Sequence, residues 1–161
     1  MKTLFLVRHA KSSQGDPGLS DRERPLNDRG RHDAPAMGRR LAGREAGPEV
    51  VVASPALRAL TTAQLIADAL GHDRDRIVVD ERLYASSAGR LLEIVHALDD
   101  RLERVMLVGH NPEFTELAHK LAKTIDDMPT CAVAELRFDV ASWAEIGDVE
   151  PEKVTFDTPK D

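Results

Sequence analysis

Leu4-Phe5-Leu6-Val7-Arg8-His9-Ala10 joins an unbroken apolar run to an arginine and a histidine. A short run without alternation reads as a strand covered on both faces, the pattern of a parallel sheet flanked by helices. A reactive imidazole beside a guanidinium at the carboxyl end of such a strand suits attack on a phosphoryl group. The arginine can neutralise phosphate oxygens bidentately while the histidine attacks phosphorus. Arg-His pairs also arise by chance, so the pair draws its weight from two later strand ends. These are Ser54-Pro55-Ala56-Leu57-Arg58 and Gly109-His110-Asn111-Pro112.

Working outward, residues 50–53, 77–79 and 105–108 repeat the unalternating apolar pattern and read as further buried strands. Helical patterns lie between them. Ser54 is predicted to cap one, with Pro55 at its first position, an inner face of Ala59, Ala63, Ile66, Ala67 and Leu70, and Gly71 at its end. Leu91, Leu92, Val95 and Leu98 mark a second, capped by Ser86 or Ser87. Asn111-Pro112 opens a third, with Phe114, Leu117, Ala118 and Leu121 on one face. An earlier helix is expected from near Asn27 to Leu41, with a kink or restart at Pro35. Strands alternating with helices predict an α/β fold of three layers, a mainly parallel central sheet with helices on both faces. Residues 134–138 alternate and read as a later strand with a wetter face at Glu135 and Arg137. Residues 141–161 are charged, with room for an edge strand at 154–156 and surface tail elsewhere.

The 161 residues predict one domain, large enough for a full core without disulfide or metal staples. A net charge of −6 argues against a broad nucleic-acid-binding face. Local pairs such as Arg22/Arg24 and Arg39/Arg40 remain docking points for acidic substrates. A single cysteine, Cys131, excludes an intramolecular disulfide and a cysteine-based zinc site, and fits a reducing compartment. The apolar run after Met1-Lys2 is too short for a signal-peptide core, and no later stretch approaches a membrane span. A cytoplasmic protein without membrane or nucleic-acid partners is expected.

In open α/β sheets, ligands bind outside the carboxyl ends of the strands. Four such ends carry Arg8 and His9, Ser54 leading to Arg58, Asp80-Glu81-Arg82, and His110. Two arginines and two histidines should therefore converge on one crevice. Arg58 falls in the first turn of its helix, where the dipole and free N–H groups add positive potential. The loop at 12–24, with a turn at Asp16-Pro17-Gly18, should hang over that crevice. A metal held by His9 and His110 is disfavoured, because Arg8 and Arg58 would repel it. No cofactor is expected. Cys131 has no basic neighbour to activate it. His32, His72, His96 and His119 read as surface residues, Asp126-Asp127 as a polar loop, and Tyr84 and Trp143 as isolated aromatics.

The arrangement resembles the histidine phosphatase superfamily, the phosphoglycerate-mutase-like or RHG family. Its Arg-His-Gly signature matches Arg8-His9-Ala10 except at the third position. Its Ser-Pro-x-x-Arg-Ala helix start matches Ser54 to Ala59, and its Gly-His element matches Gly109-His110. The resemblance runs from residue 3 to about 122. It implies that His9 is a nucleophile forming a phosphohistidine intermediate, with Arg8, Arg58 and His110 holding the phosphoryl oxygens.

One departure bears on substrate. Many members carry a proton-donating Glu in a pattern like Asp-x-Arg-Leu-x-Glu, which here places Ala85 at the Glu position. Another branch uses Asp after the second histidine, where this chain has Asn111. The missing acid, the small size, the Arg8-to-Ser12 start and Arg24-Pro25-Leu26 resemble the SixA-type phosphohistidine phosphatases. The chemistry agrees. A positioned acid contributes roughly 10²–10⁴-fold when an alkoxide leaves. An imidazole, with a conjugate acid of pKa about 6.5, needs much less help. A metal-independent phosphohydrolase acting on protein phosphohistidine is the leading expectation, with Lys11, Ser12, Arg24 and Glu81 as further substrate contacts. Two alternatives stay open. One is a small-molecule phosphomonoesterase for a nucleotide or sugar phosphate, using Glu81 or water as acid. The other is a phosphate-binding interaction module with little turnover.

Overall fold

Alternate residues of the central strands point to opposite sides of the sheet, and helices cover both. The computed structural model describes residues 1–44 and 46–160. In β1 (Lys2–Arg8), Leu4 and Leu6 enter one apolar cluster while Phe5 and Val7 enter another. The first cluster contains Leu91 and Val95 of α3 (Ala88–His96) with Phe114 and Leu117 of α4 (Glu113–Leu121). The second contains Met37 and Leu41 of α1 (Asp28–Ala42) with Ala63 and Ile66 of α2 (Leu57–Leu70). Each fully buried aliphatic side chain in these layers contributes about 1.5–3 kcal/mol.

The remaining strands are β2 (Val50–Ala53), β3 (Val78–Val79), β4 (Arg104–Gly109), β5 (Val133–Phe138) and β6 (Lys153–Asp157). They form one six-stranded sheet in the order β3-β2-β4-β1-β5-β6. β3, β2, β4 and β1 run parallel, whereas β5 is antiparallel to β1 and β6 is antiparallel to β5. This is the three-layer, mainly parallel α/β fold that the strand–helix alternation predicts. Among the described residues, no helix is long and apolar enough to cross a membrane.

Register carries the reactive residues together. Arg8 pairs with Gly109, and Ala53 pairs with Val108. The next residues, His9, His110 and Ser54, therefore leave the sheet side by side at its carboxyl edge.

Four expectations need correction. The run at 77–79 is not a buried strand: β3 is a two-residue edge whose Val78 and Val79 are about half exposed, at 50% and 48%. Ser54 does not cap α2 with Pro55 as its first residue, because the helix starts at Leu57 after Ala56. The Ser54 hydroxyl instead accepts the Ala56 N–H at 3.2 Å and meets a histidine. α1 runs unbroken through Pro35, with Ala34 and Met37 buried on either side of it. The carbonyl that a proline at 35 leaves without its helical donor belongs to Arg31, an exposed residue. Finally, residues 141–160 are more than a tail with an edge strand. Trp143 is fully buried, its indole N–H donates to the Leu102 carbonyl at 2.9 Å, and Ile146 joins the same cluster. Trp143 is thus a core residue.

Candidate active site

Arg8, His9, Arg58 and His110 line one cavity of about 660 Å³, with Lys11, Ser12, Arg24, Asn27, Asn111 and Thr130 around them. The convergence expected from the strand ends is therefore present. A second cavity, of about 400 Å³, lies at the amino-terminal ends of β2 and β3 and includes neither His9 nor His110.

Backbone groups fix His9. Its Nδ1 lies 2.7 Å from the Ala10 carbonyl oxygen, which can only accept, so Nδ1 carries the proton and Nε2 keeps its lone pair. The His9 N–H donates to the Gly109 carbonyl at 3.0 Å. Ala10 is buried, and its N–H donates to Thr62 Oγ1 at 3.0 Å; Thr62 in turn donates to the Arg58 carbonyl at 2.7 Å. Thr62 thus couples the end of β1 to the first turn of α2. From the core side, the N–H of the buried Cys131 reaches the carbonyls of both Arg8 and His9, at 3.1 and 3.0 Å. Cys131 does so with φ +62, in the left-handed region.

The His9 and His110 rings are tilted neighbours, with centroids 5.2 Å apart. His110 Nε2 sits 2.8 Å from Ser54 Oγ, while its Nδ1 is buried without a hydrogen-bond partner among the described residues. Arg8 donates to the Met128 carbonyl at 3.1 Å, which aims its guanidinium.

Burial dominates the electrostatics. It pushes His9 down to about 4, helped by Arg58, Arg8 and Arg24 and opposed by the Ala10 hydrogen bond. It pushes His110 down to about 3, with His9 and Arg58 adding to the effect. Both rings are neutral at pH 7, as a nucleophile must be. The buried Cys131 thiol is pushed up to about 12, which leaves it unreactive.

The loop after β1 folds back over the cavity. Ser12 bridges to Leu26, the Ser13 N–H donates to the Pro25 carbonyl at 2.9 Å, and Arg24 donates to Ser12 Oγ at 3.0 Å. The Asp16 turn forms as expected, its carboxylate accepting from Gly18 N–H at 2.9 Å. Glu81 is not brought to the cavity. Arg22 donates to both of its carboxylate oxygens, at 2.7 and 2.9 Å, in an exposed pair.

A protein-family model for the histidine phosphatase superfamily (branch 1) matches residues 4–101. This chain belongs to the histidine phosphatase superfamily. An uncharacterized protein of Mycobacterium tuberculosis is 32% identical over 157 residues, spanning 90% of this chain and 92% of its own. A candidate phosphohistidine phosphatase SixA from Agrobacterium tumefaciens aligns with TM-score 0.75 at 29% identity, over 84% of this chain and 90% of that one. The protein histidine phosphatase SixA complexed with tungstate aligns with TM-score 0.77 at 25% identity, over 97% and 94%. The fold is SixA-like, and the protein is a phosphatase.

The two residues that stand at the superfamily's acid positions have structural company. The Asn111 side chain is committed to neighbours: it donates to the Met128 carbonyl at 3.0 Å and accepts from Thr115 N–H at 3.1 Å and Thr115 Oγ1 at 2.9 Å. Ala85 is exposed, with φ +50. Its neighbour Tyr84 packs edge-on against His110, with centroids 5.6 Å apart, and donates its hydroxyl to Asp21 Oδ2 at 2.6 Å. Asp21 also holds Arg58. The guanidinium donates to the Asp21 carbonyl at 2.7 Å and to Oδ2 at 3.0 Å. This histidine phosphatase therefore has a carboxylate against Arg58. Asp21 and Tyr84 carry no motif or periodicity that marks them in the sequence, whereas Thr62 falls on the inner face of α2 with Ala59, Ala63 and Ile66. The one hint is the placement of Asp21 in the loop predicted to overhang the crevice.

Proposed function

We propose that residues 1–161 act as one metal-independent phosphohydrolase domain that hydrolyses protein phosphohistidine through a covalent intermediate on His9. The observation that carries this reading is the His9 contact to Ala10: with Nδ1 protonated, Nε2 holds a lone pair toward the cavity.

In the first step His9 Nε2 bonds to phosphorus and the P–N bond of the substrate breaks. If the substrate ring carries a proton on its other nitrogen, it leaves as neutral imidazole. His9 becomes a phosphoimidazolium whose Nδ1–H stays on the Ala10 carbonyl. One phosphoimidazolium is exchanged for another, so no proton need move. Water then attacks phosphorus, the electron pair of the P–N bond returns to Nε2, and both water protons stay with the phosphate. Arg8, Arg58 and His110 would hold the phosphoryl oxygens as charge redistributes. Substrates with an alkoxide leaving group would lack a donor, since Ala85 and Asn111 supply no acid and both oxygens of Glu81 are engaged by Arg22.

Two guanidinium groups beside the histidines supply the positive charge that a divalent ion would otherwise bring, which supports metal independence. The lone free cysteine fits the cytoplasm. Lys11, Ser12 and Arg24 on the cavity wall are proposed contacts for the phosphorylated partner.

The test compares turnover of a phosphohistidine peptide, a phosphoserine peptide and an aryl phosphate, with and without chelator. Phosphohistidine and the aryl ester should be hydrolysed, phosphoserine hardly at all, and the chelator should change nothing. Equal rates on all three, or chelator-sensitive activity, would contradict the reading.

A further inference from the structure

The Asp21 carboxylate lies against Arg58 and Tyr84 at the edge of the site, and it is held in its ionised form. Tyr84 and Arg58 both donate to Oδ2, and Arg24 lies 3.6 Å from Oδ1. Those contacts hold its carboxyl below the usual carboxylate range, so near neutral pH it has no proton to give. A carboxylate of this kind would oppose an alkoxide or phenolate that develops negative charge. It would favour a leaving group that carries an N–H⁺.

Its direction of approach matters as much as its charge. His9 comes from the buried end of β1, with 7% of its surface exposed. Asp21 reaches Arg58 from the overlying loop, with its side chain 52% exposed. A phosphoryl group seated on Arg58 and attacked by His9 in line would expel its leaving group away from the sheet, toward the loop and solvent. Asp21 and Tyr84 border that side, and Tyr84 adjoins Ala85, where other superfamily members place their acid.

We propose that Asp21 selects phosphohistidine over phosphate esters by accepting a hydrogen bond from the distal ring N–H of the substrate phosphoimidazolium. This inference rests on the covalent His9 reading above and names what distinguishes its substrate. Asp21 raises the fraction of bound substrate in the protonated form that can leave as neutral imidazole. The P–N bond breaks, its electron pair goes to the departing nitrogen, and the distal proton stays on the ring. Asp21 itself neither gains nor loses a proton. Tyr84 keeps the carboxylate in place, and the exposed Arg22–Glu81 pair backs Tyr84, with the Arg22 guanidinium 4.9 Å from the Tyr84 ring centre.

The experiment measures kcat/KM of wild type, Asp21→Asn and Tyr84→Phe on a phosphohistidine peptide and on p-nitrophenyl phosphate. Asp21→Asn should lose about 10- to 100-fold on phosphohistidine, the scale of one charge-assisted hydrogen bond. On p-nitrophenyl phosphate any loss should be smaller, so that the ratio of the two kcat/KM values falls. Tyr84→Phe should shift the ratio in the same direction by a smaller factor. The alkaline limb of kcat on phosphohistidine should also move to lower pH in Asp21→Asn. Because the readout is a ratio on one preparation, any unfolded fraction cancels. An equal loss on both substrates would make Asp21 only an orienter of Arg58. An equal gain would make it a competitor for Arg58. Either result, or an unchanged ratio, overturns the selecting role while leaving the His9 reading intact. A wild type that hydrolyses the aryl ester but not phosphohistidine overturns the substrate reading and the selecting role together.

Discussion

Ser54 Oγ lies 2.8 Å from His110 Nε2, and this contact joins the carboxyl ends of β2 and β4 inside the site. The same oxygen accepts the Ala56 N–H, so its own proton is free to point at His110. A Ser54 hydroxyl that donates to Nε2 puts the ring proton on Nδ1, the nitrogen without a partner among the described residues. In the proposed mechanism His110 would then offer a phosphoryl oxygen an N–H rather than a lone pair.

Ser54→Ala should release that tautomer and lower turnover about 10-fold, while costing roughly 1–3 kcal/mol for the unsatisfied buried ring nitrogen. Nitrogen chemical shifts of the His110 ring would report the change in tautomer directly. Wild-type turnover in the variant would remove Ser54 from the account.

Acid should unfold this protein partly through its active-site histidines. His9 and His110 are depressed to about 4 and about 3 in the fold, against about 6.5 in an unfolded chain. Between pH 6.5 and 4 the unfolded chain binds protons at both positions that the folded chain refuses. Stability is therefore complete above pH 6.5 and declines as pH falls, by up to about 1.4 kcal/mol per pH unit for each histidine. Urea denaturation at pH 7, 6 and 5 measures the slope, and His9→Gln or His110→Gln should flatten it. An identical slope in both variants would mean that neither ring is depressed.

Gly109 is required by packing. A Cβ there would meet the buried Phe114 ring at 2.4 and 2.6 Å, and that ring lies in the closed core between β4 and α4. Gly109→Ala should cost about 1–3 kcal/mol and displace His110, with loss of activity. Gly89 gives the control, since a Cβ at that helical position meets nothing within 4 Å. Gly89→Ala should stabilise by up to about 1 kcal/mol and leave turnover unchanged. Thermal melts with parallel rate measurements test both.

The parts of this molecule that are legible in the sequence are those where burial leaves a pattern. β1 and β4 are buried on both faces, so residues 4–7 and 105–108 stand out, and Arg8, His9 and His110 follow directly at their ends. The third apolar run misleads because three valine-like residues look alike whether a strand is central or, like β3, at an edge. Trp143 and Ile146 lie in and beside a single 3-10 turn, too short for any periodicity, and their burial depends on contacts with residues some 40 positions away. Asp21 and Tyr84 are 63 residues apart, polar and on the surface. The fold-back of the loop after β1 brings Asp21 to Arg58 and to Tyr84, which follows β3.

The most direct test of the covalent mechanism is an acid-free rapid quench with a radiolabelled phosphohistidine substrate, followed by peptide mapping. The label should appear on the peptide containing His9, stable to base and lost in acid, and His9→Ala should show neither label nor turnover. Label on a different residue, no label during steady turnover, or near-normal turnover by His9→Ala would contradict it.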